Sequence, residues 1–302
     1  MKFVFFGSPE FAAIVLEKLI KAGFIPAAVV CAPDAPAGRK KILTSPPTKV
    51  LAEKYNIEVW QPEKLEIKNW KLKITNPDLA IVAAYGKIIP KNIIKTAKYG
   101  FVGVHPSLLP KYRGASPIQS AILNDEAETG TTLYLMDEKV DHGPILMKSE
   151  FRISKSETYL SLHNKLAELS GDLFIKILPD FIAEKIKPRP QDESQATFTQ
   201  KFSLKDGMVD FKKDDPRKVW LKIRALNPEP GVTARLKLKD GQELKLKLLE
   251  ADYNPSAGSA SSLQASSGQA LELKLVQPEG KKPMLWKDFL NGYQDKFLIP
   301  NS

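Results

Sequence analysis

Short apolar runs separated by stretches of helical periodicity constrain the first half of this chain more than any other feature. Residues 2–7 (KFVFFG) have the length of a buried strand and end on a glycine turn. Phe11, Ile14, Val15, Leu19 and Ile20 then recur at helical spacing, and Gly23 is placed to stop the helix. Ser8 is positioned to cap it, with Pro9 at its first position and Glu10 near its positive end. Further apolar runs lie at 27–32, 57–60, 79–84 and 101–105, with helical or loop segments between them. Strands separated by helices predict a parallel sheet of the doubly wound α/β class. No Gly-x-Gly-x-x-Gly follows the first strand, which speaks against a dinucleotide-binding turn.

The second half changes character. A helical pattern from about Glu157 to Lys185 is broken at residues 187–190 (KPRP), and the polar stretch 191–205 reads as a linker. Residues 233–248 alternate strictly around Asp240-Gly241, a favoured two-residue hairpin turn. That alternation puts Leu236, Leu238, Leu244, Leu246 and Leu248 on one face and Arg235, Lys237, Lys239, Lys245 and Lys247 on the other. A Ser, Ala and Gly-rich loop at 254–268, a strand at 270–276 and a helix around 286–290 follow. The expected organisation is therefore an α/β domain over 1–190, a linker over 191–205, and a small mostly β domain over 206–302, an OB-like barrel.

The longest apolar run, Leu79 to Tyr85, is far below the roughly 20 residues of a membrane helix, and residues 3–6 make no signal peptide. One cysteine, Cys31, permits no internal disulfide, so a reducing cytoplasmic setting is expected. Lys and Arg number 45 against 35 Asp and Glu, a net charge of +10 that favours phosphate-bearing partners.

Of the three histidines, His163 falls within the long helical pattern and reads as structural or merely solvated. His105 ends a predicted parallel strand, where open α/β sheets place their ligands. The loop after it, Pro106 to Pro110, is too apolar for an ordinary solvated turn. A second polar spot, residues 136–144 (MDEKVDHGP), sets Asp141 and His142 beside a glycine between two apolar strands. An ordinary hairpin turn would explain the same composition.

These residues also carry a family resemblance. Residues 104–114 (VHPSLLPKYRG) resemble the signature of the 10-formyltetrahydrofolate-dependent formyltransferases, and residues 141–144 fall where that family keeps a catalytic aspartate. Residues 6–12 (FGSPEFA), 36–41 (PAGRKK), 45–47 (SPP), 83–90 (AAYGKIIP), 223–231 (IRALNPEPG) and 277–284 (QPEGKKPM) extend the likeness over nearly the whole chain. Within the family the chain most resembles the branch that formylates the methionine of charged initiator tRNA for translation initiation.

The resemblance implies a Rossmann-like catalytic domain with 10-formyltetrahydrofolate as co-substrate, no metal, and initiator tRNA as partner of a cytoplasmic monomer. By it, His105 stands for the histidine that contacts the reacting formyl group, and Asp141 for the carboxylate that orients it and helps remove the amine proton. Ser107, Leu108, Leu109 and Pro110, with Tyr85 and Gly86, stand for the folate-binding residues. Arg39, Lys40, Lys41 and Lys49 belong to the inserted loop implied to meet the tRNA acceptor end. Arg235, Lys237, Lys245 and Lys247 are assigned to tRNA phosphates on charge grounds, although a solvated sheet face would look the same.

One position departs from the pattern. The family carries Asn two residues before the histidine, and this chain has Gly103. Loss of an oxyanion donor costs roughly 2.7–4 kcal/mol. Either a water or another side chain, His142 being nearest in sequence, substitutes, or the enzyme is slow; Gly103→Asn is expected to speed turnover. Two other readings stand beside the first: a sugar-nucleotide N-formyltransferase, and a slow or non-catalytic paralogue that binds tRNA or folate.

Overall fold

A computed structural model of the chain describes residues 1–38, 40–74, 77–254 and 270–293. It divides into two compact units. The first comprises Met1–Pro117, Ala127–Ile153 and Ser161–Thr199; the second comprises Ile118–Glu126, Ser154–Leu160 and Gln200–Ser302. Among the described residues no helix is long and apolar enough to cross a membrane.

In chain order the first unit contains β1 (Phe3–Phe6), α1 (Glu10–Lys21), β2 (Ala28–Val30), β3 (Ala35–Ala37), β4 (Ile42–Thr44), α2 (Pro47–Lys54) and β5 (Glu58–Trp60). It continues with α3 (Ile67–Lys73), β6 (Leu79–Ala83), α4 (Lys91–Ile94), β7 (Phe101–His105) and β8 (Arg113–Gly114). A short helix, α5 (Pro117–Leu123), falls mostly in the second unit. Then come β9 (Glu128–Leu135), β10 (Ile145–Arg152), α6 (Tyr159–Ile182) and β11 (Phe198–Thr199).

Seven strands form one sheet in the order β10-β9-β7-β6-β1-β2-β5. β5, β2, β1, β6 and β7 run parallel, whereas β9 and β10 pair antiparallel at one edge. Every residue of β1, β6 and β7 is buried, as expected of parallel strands covered on both faces. The α1 helix turns Phe11, Val15, Leu16, Leu19 and Ile20 inward. Gly7 permits its close approach: a Cβ there would lie 2.5 Å from the Ala12 Cβ and 2.6 Å from the Ala83 carbonyl.

Two expectations need correction. Ser8 does not cap α1; Pro9 takes the cap position and the Ser8 hydroxyl instead accepts from the Ala32 N–H at 2.9 Å. Residues 191–199 are no linker but pack within the first unit, where β11 pairs with β8.

The second unit contains β12 (Met208–Val209), α7 (Pro216–Leu226), β13 (Thr233–Lys237), β14 (Glu243–Tyr253), β15 (Leu271–Pro278), β16 (Met284–Leu285) and α8 (Trp286–Tyr293). Its five strands lie in sequence order and, after the parallel pair β12-β13, are antiparallel. The mostly β character read from the alternation holds. Asp215 caps α7 by accepting from the Lys218 N–H at 3.1 Å, with Pro216 in the first turn. Buried Arg224 lies over the Trp220 ring at 4.3 Å and donates to the carbonyls of Glu157 and Ser154. The expected loop at 254–268 falls outside the described residues apart from Asn254.

Candidate active site

β7 delivers His105 at its carboxyl end, on the side of the sheet where parallel pairing gives way to antiparallel β9. The Nε2–H of His105 donates to the Tyr112 carbonyl at 2.8 Å. With that proton committed, Nδ1 is the nitrogen left to take up or release one. Asp141 Oδ2 lies 3.5 Å from it. Side-chain exposures of 7% for His105 and 15% for Asp141 leave the pair largely desolvated without sealing it, so its electrostatics act at reduced screening.

Backbone strain flanks this pair. Asp141, in the loop between β9 and β10, has φ 48°, and Tyr112 has φ 60°. Aspartate tolerates the left-handed region; tyrosine does so at some cost. Both conformations are held by partners. The Gly114 N–H donates to Asp141 Oδ2 at 2.8 Å, and the Tyr112 N–H donates to the Thr197 hydroxyl at 2.8 Å.

The other Asp141 oxygen has its own donor. Tyr134, on β9, donates its hydroxyl to Asp141 Oδ1 at 2.7 Å. Burial first, and the charge of Asp141 second, push the Tyr134 phenol well above the ordinary tyrosine range, so it remains a protonated donor. Tyr134 is also the direct cross-strand partner of Gly103. A Cβ on residue 103 would lie 2.5 Å from the Tyr134 Cζ and 2.7 Å from its hydroxyl oxygen, closer than packed atoms come.

That geometry bears on two expectations about Gly103. His142 does not fill the place beside it: its Nδ1 contacts Asp137 Oδ2 at 2.5 Å and its Nε2 lies 3.5 Å from Glu193 Oε1. The Tyr134 ring occupies the space instead. A side chain at residue 103 would have to displace that ring, which runs against the expected gain from Gly103→Asn.

A buried guanidinium braces the loop that carries Asp141. Arg113, 1% exposed, donates from Nη1 and Nη2 to the Glu193 carboxylate at 2.9 and 2.7 Å. Its Nε and Nη2 donate to Gln191 Oε1 at 3.1 and 2.8 Å. Gln191 passes the connection on, donating to the carbonyls of Asp141 and Gly143 at 2.8 Å each. Arg113 holds Glu193 below the usual carboxylate range, mainly through those hydrogen bonds.

The expected folate residues divide. Ser107 and Leu109 are fully buried, so their side chains line no open surface. The Ser107 hydroxyl donates to the Lys111 carbonyl at 2.6 Å, and the Leu109 carbonyl accepts from Lys148. Thr132 ties the turn together, accepting from the Leu109 N–H and donating to the Ser107 carbonyl. Pro110 is buried, whereas Leu108 is half-buried. Tyr85 packs edge-on against Phe6 in the core, and its buried hydroxyl has no hydrogen-bond partner among the described residues. Gly86 is exposed, with φ 76°.

The basic residues also separate. Arg39 lies outside the described residues, while Lys40 and Lys41 are exposed at the turn of the β3–β4 hairpin. Lys49 is not a free cation: its ammonium contacts both oxygens of Asp34 at 3.0 and 2.8 Å. On β13 and β14, Arg235, Lys237, Lys245 and Lys247 are exposed on the face opposite buried Leu246 and Leu248. Glu243 interrupts that face, paired with Arg235 at 3.1 Å. His163 lies edge-on to Phe11 at 5.4 Å.

Local pattern did not identify Tyr134, Arg113, Gln191 or Glu193 as site residues. One available signal was Gly103, since an isolated glycine within a strand marks a close approach by something else.

Residues 1–178 match the family described as formyl transferase, and residues 201–294 match its C-terminal domain. The methionyl-tRNA formyltransferase of Halalkalibacterium halodurans is 40% identical, over 97% of this chain and 95% of its own length. That of Dictyoglomus turgidum is 37% identical, over 97% of each chain. Among solved structures, the sugar 3N-formyl transferase WlaRD superposes with a TM-score of 0.66 at 19% identity, covering 93% of this chain and 99% of that one. HypX from Aquifex aeolicus, in complex with tetrahydrofolic acid, gives 0.63 at 18% identity, covering 97% of this chain and 47% of that one. These two likenesses concern the fold alone.

Proposed function

The chain belongs to the formyl transferase family, and on that premise we propose that it transfers a formyl group from 10-formyltetrahydrofolate to the free amine of methionyl-initiator tRNA. The observation that carries this reading is the His105–Asp141 pair at the carboxyl end of β7. The donor supplies an activated formyl carbon, and acyl transfer to an amine then asks three things of the protein. A proton must leave the attacking nitrogen, negative charge on the formyl oxygen must be met, and a proton must reach the departing nitrogen.

Asp141, with each oxygen fixed by one donor, is oriented to receive the amine proton, directly or through water. His105, with Nε2 committed to Tyr112, offers Nδ1 as the proton-carrying or charge-meeting atom. Proximity supplies the rest, since holding both reactants over one pair replaces a bimolecular encounter. Half-buried Leu108 offers apolar area to the formyl donor in this reading. In the second unit, Arg235, Lys237, Lys245 and Lys247 suit phosphates and contribute affinity without reading bases.

Incubation with 10-formyltetrahydrofolate and charged initiator tRNA, followed by mass measurement of the released amino acid, tests the proposal. Formylmethionine is expected. Free methionine only, together with formylation of an amino-sugar nucleotide offered in a parallel reaction, would overturn it in favour of the sugar acceptor.

A further inference from the structure

Gly103 and Tyr134 make one structural unit that neither residue explains alone. Glycine inside a buried strand has a cost, because it adds no packing and loses the most backbone freedom on folding. Gly103 has no left-handed φ that would demand it. What demands it is the neighbouring ring, whose Cζ and hydroxyl would lie within 2.7 Å of a Cβ at this position. Standard bond lengths put the polar atoms of a short amide or carboxylate side chain about 2.4 Å from its own Cβ. The Tyr134 hydroxyl thus reaches the region such a group would occupy, from the opposite strand.

That hydroxyl holds the carboxylate. Asp141 Oδ1 accepts from Tyr134 and Oδ2 from the Gly114 N–H, one donor for each oxygen. The two bonds fix the rotation of the carboxylate and so the 3.5 Å approach of Oδ2 to His105 Nδ1. A phenol has a single proton, and here it is given to Asp141.

We propose that Tyr134 is a positioning residue for Asp141, acting across the sheet through the space that Gly103 leaves open. The inference rests on the reading that Asp141 receives the amine proton. Charged and titratable groups facing Asp141 are His105, Tyr134 and the Arg113 guanidinium, and Asp137 adds its field at Tyr134.

Tyr134→Phe removes only the hydroxyl. Its kcat for formyl transfer is expected to fall roughly ten-fold, the low end for a hydrogen bond to a charged group, with KM for tRNA and formyl donor unchanged. The acid limb of the kcat profile is expected to move to higher pH, because the ionised carboxylate loses a donor. Carbon-13 NMR of the Asp141 carboxyl in the same protein should show its titration midpoint moving the same way. Gly103→Asn should lose activity and thermal stability, and adding Tyr134→Ala should recover part of the stability by clearing the ring while kcat stays low, because Asp141 still lacks the Tyr134 donor.

An unchanged acid limb together with an unchanged Asp141 titration in Tyr134→Phe would overturn the proposal, even if the melting temperature dropped. A fully active, fully stable Gly103→Asn single variant would do so as well. Failure of the functional reading would look different: the wild-type protein would form no formylmethionine. The NMR comparison would still decide the role of Tyr134.

Discussion

The two basic or reactive surfaces of this chain are built on opposite principles. Around His105 nearly every polar atom has a named partner, and Asp141 accepts one donor on each oxygen. On the β13–β14 hairpin the cations stand exposed, and the ion pair there joins Arg235 to Glu243. In the first region the position of a single atom matters, because geometry in a poorly solvated site sets the reaction barrier. In the second, the number of charges matters more than their placement, because phosphate attraction is long-ranged and screened.

Mutations can break that contrast. His105→Ala should lower kcat by about 10²–10⁴, the range for a general acid–base group, while leaving tRNA affinity unchanged; equal losses in both would blur the two regions. Arg113→Met comes next. It leaves Gln191 and Glu193 without their guanidinium partner, so kcat should fall about ten-fold, with a melting temperature several degrees lower. Glu193 is depressed in the folded protein, so the stabilisation it gains from Arg113 is complete above its ordinary value of about 4.3. That stabilisation is lost as pH falls through the lower folded value. The melting difference between wild type and Arg113→Met should therefore be full near neutrality and shrink in acid, as calorimetry across pH would show.

Lys237→Glu with Lys245→Glu should have the smallest effect. A several-fold rise in KM for tRNA is expected, with a salt dependence shallower by about 1–2 in logarithmic slope. The single-turnover rate at saturating tRNA should not move. An unchanged salt slope would assign this face to solvent.

How far the sequence spoke for itself follows the same division. The buried strands at Phe3–Phe6, Leu79–Ala83 and Phe101–His105 were legible because burial on both faces leaves unbroken apolar runs. The hairpin was legible because alternation and a turn dipeptide are local. Ser8 misled because a cap signature ignores competitors, and its hydroxyl is taken by Ala32, 24 residues away. Residues 191–199 looked like a linker because their polarity was visible and their partners were not. Gln191 and Glu193 bond Arg113 from 78 and 80 residues away. Tyr134 was hidden for the converse reason: in an apolar strand it has the look of ordinary core, and only the glycine opposite it betrays a special contact.

The most direct test is a rapid-quench single turnover with Asp141→Asn, saturating 10-formyltetrahydrofolate and charged initiator tRNA, beside the wild-type protein. The account predicts a rate lower by at least about 10² with unaltered affinity for either substrate, since the amide keeps the shape of the carboxylate and cannot take the proton. A rate equal to that of the wild type would contradict it, because the proton would then be leaving the amine by a route that does not involve this carboxylate.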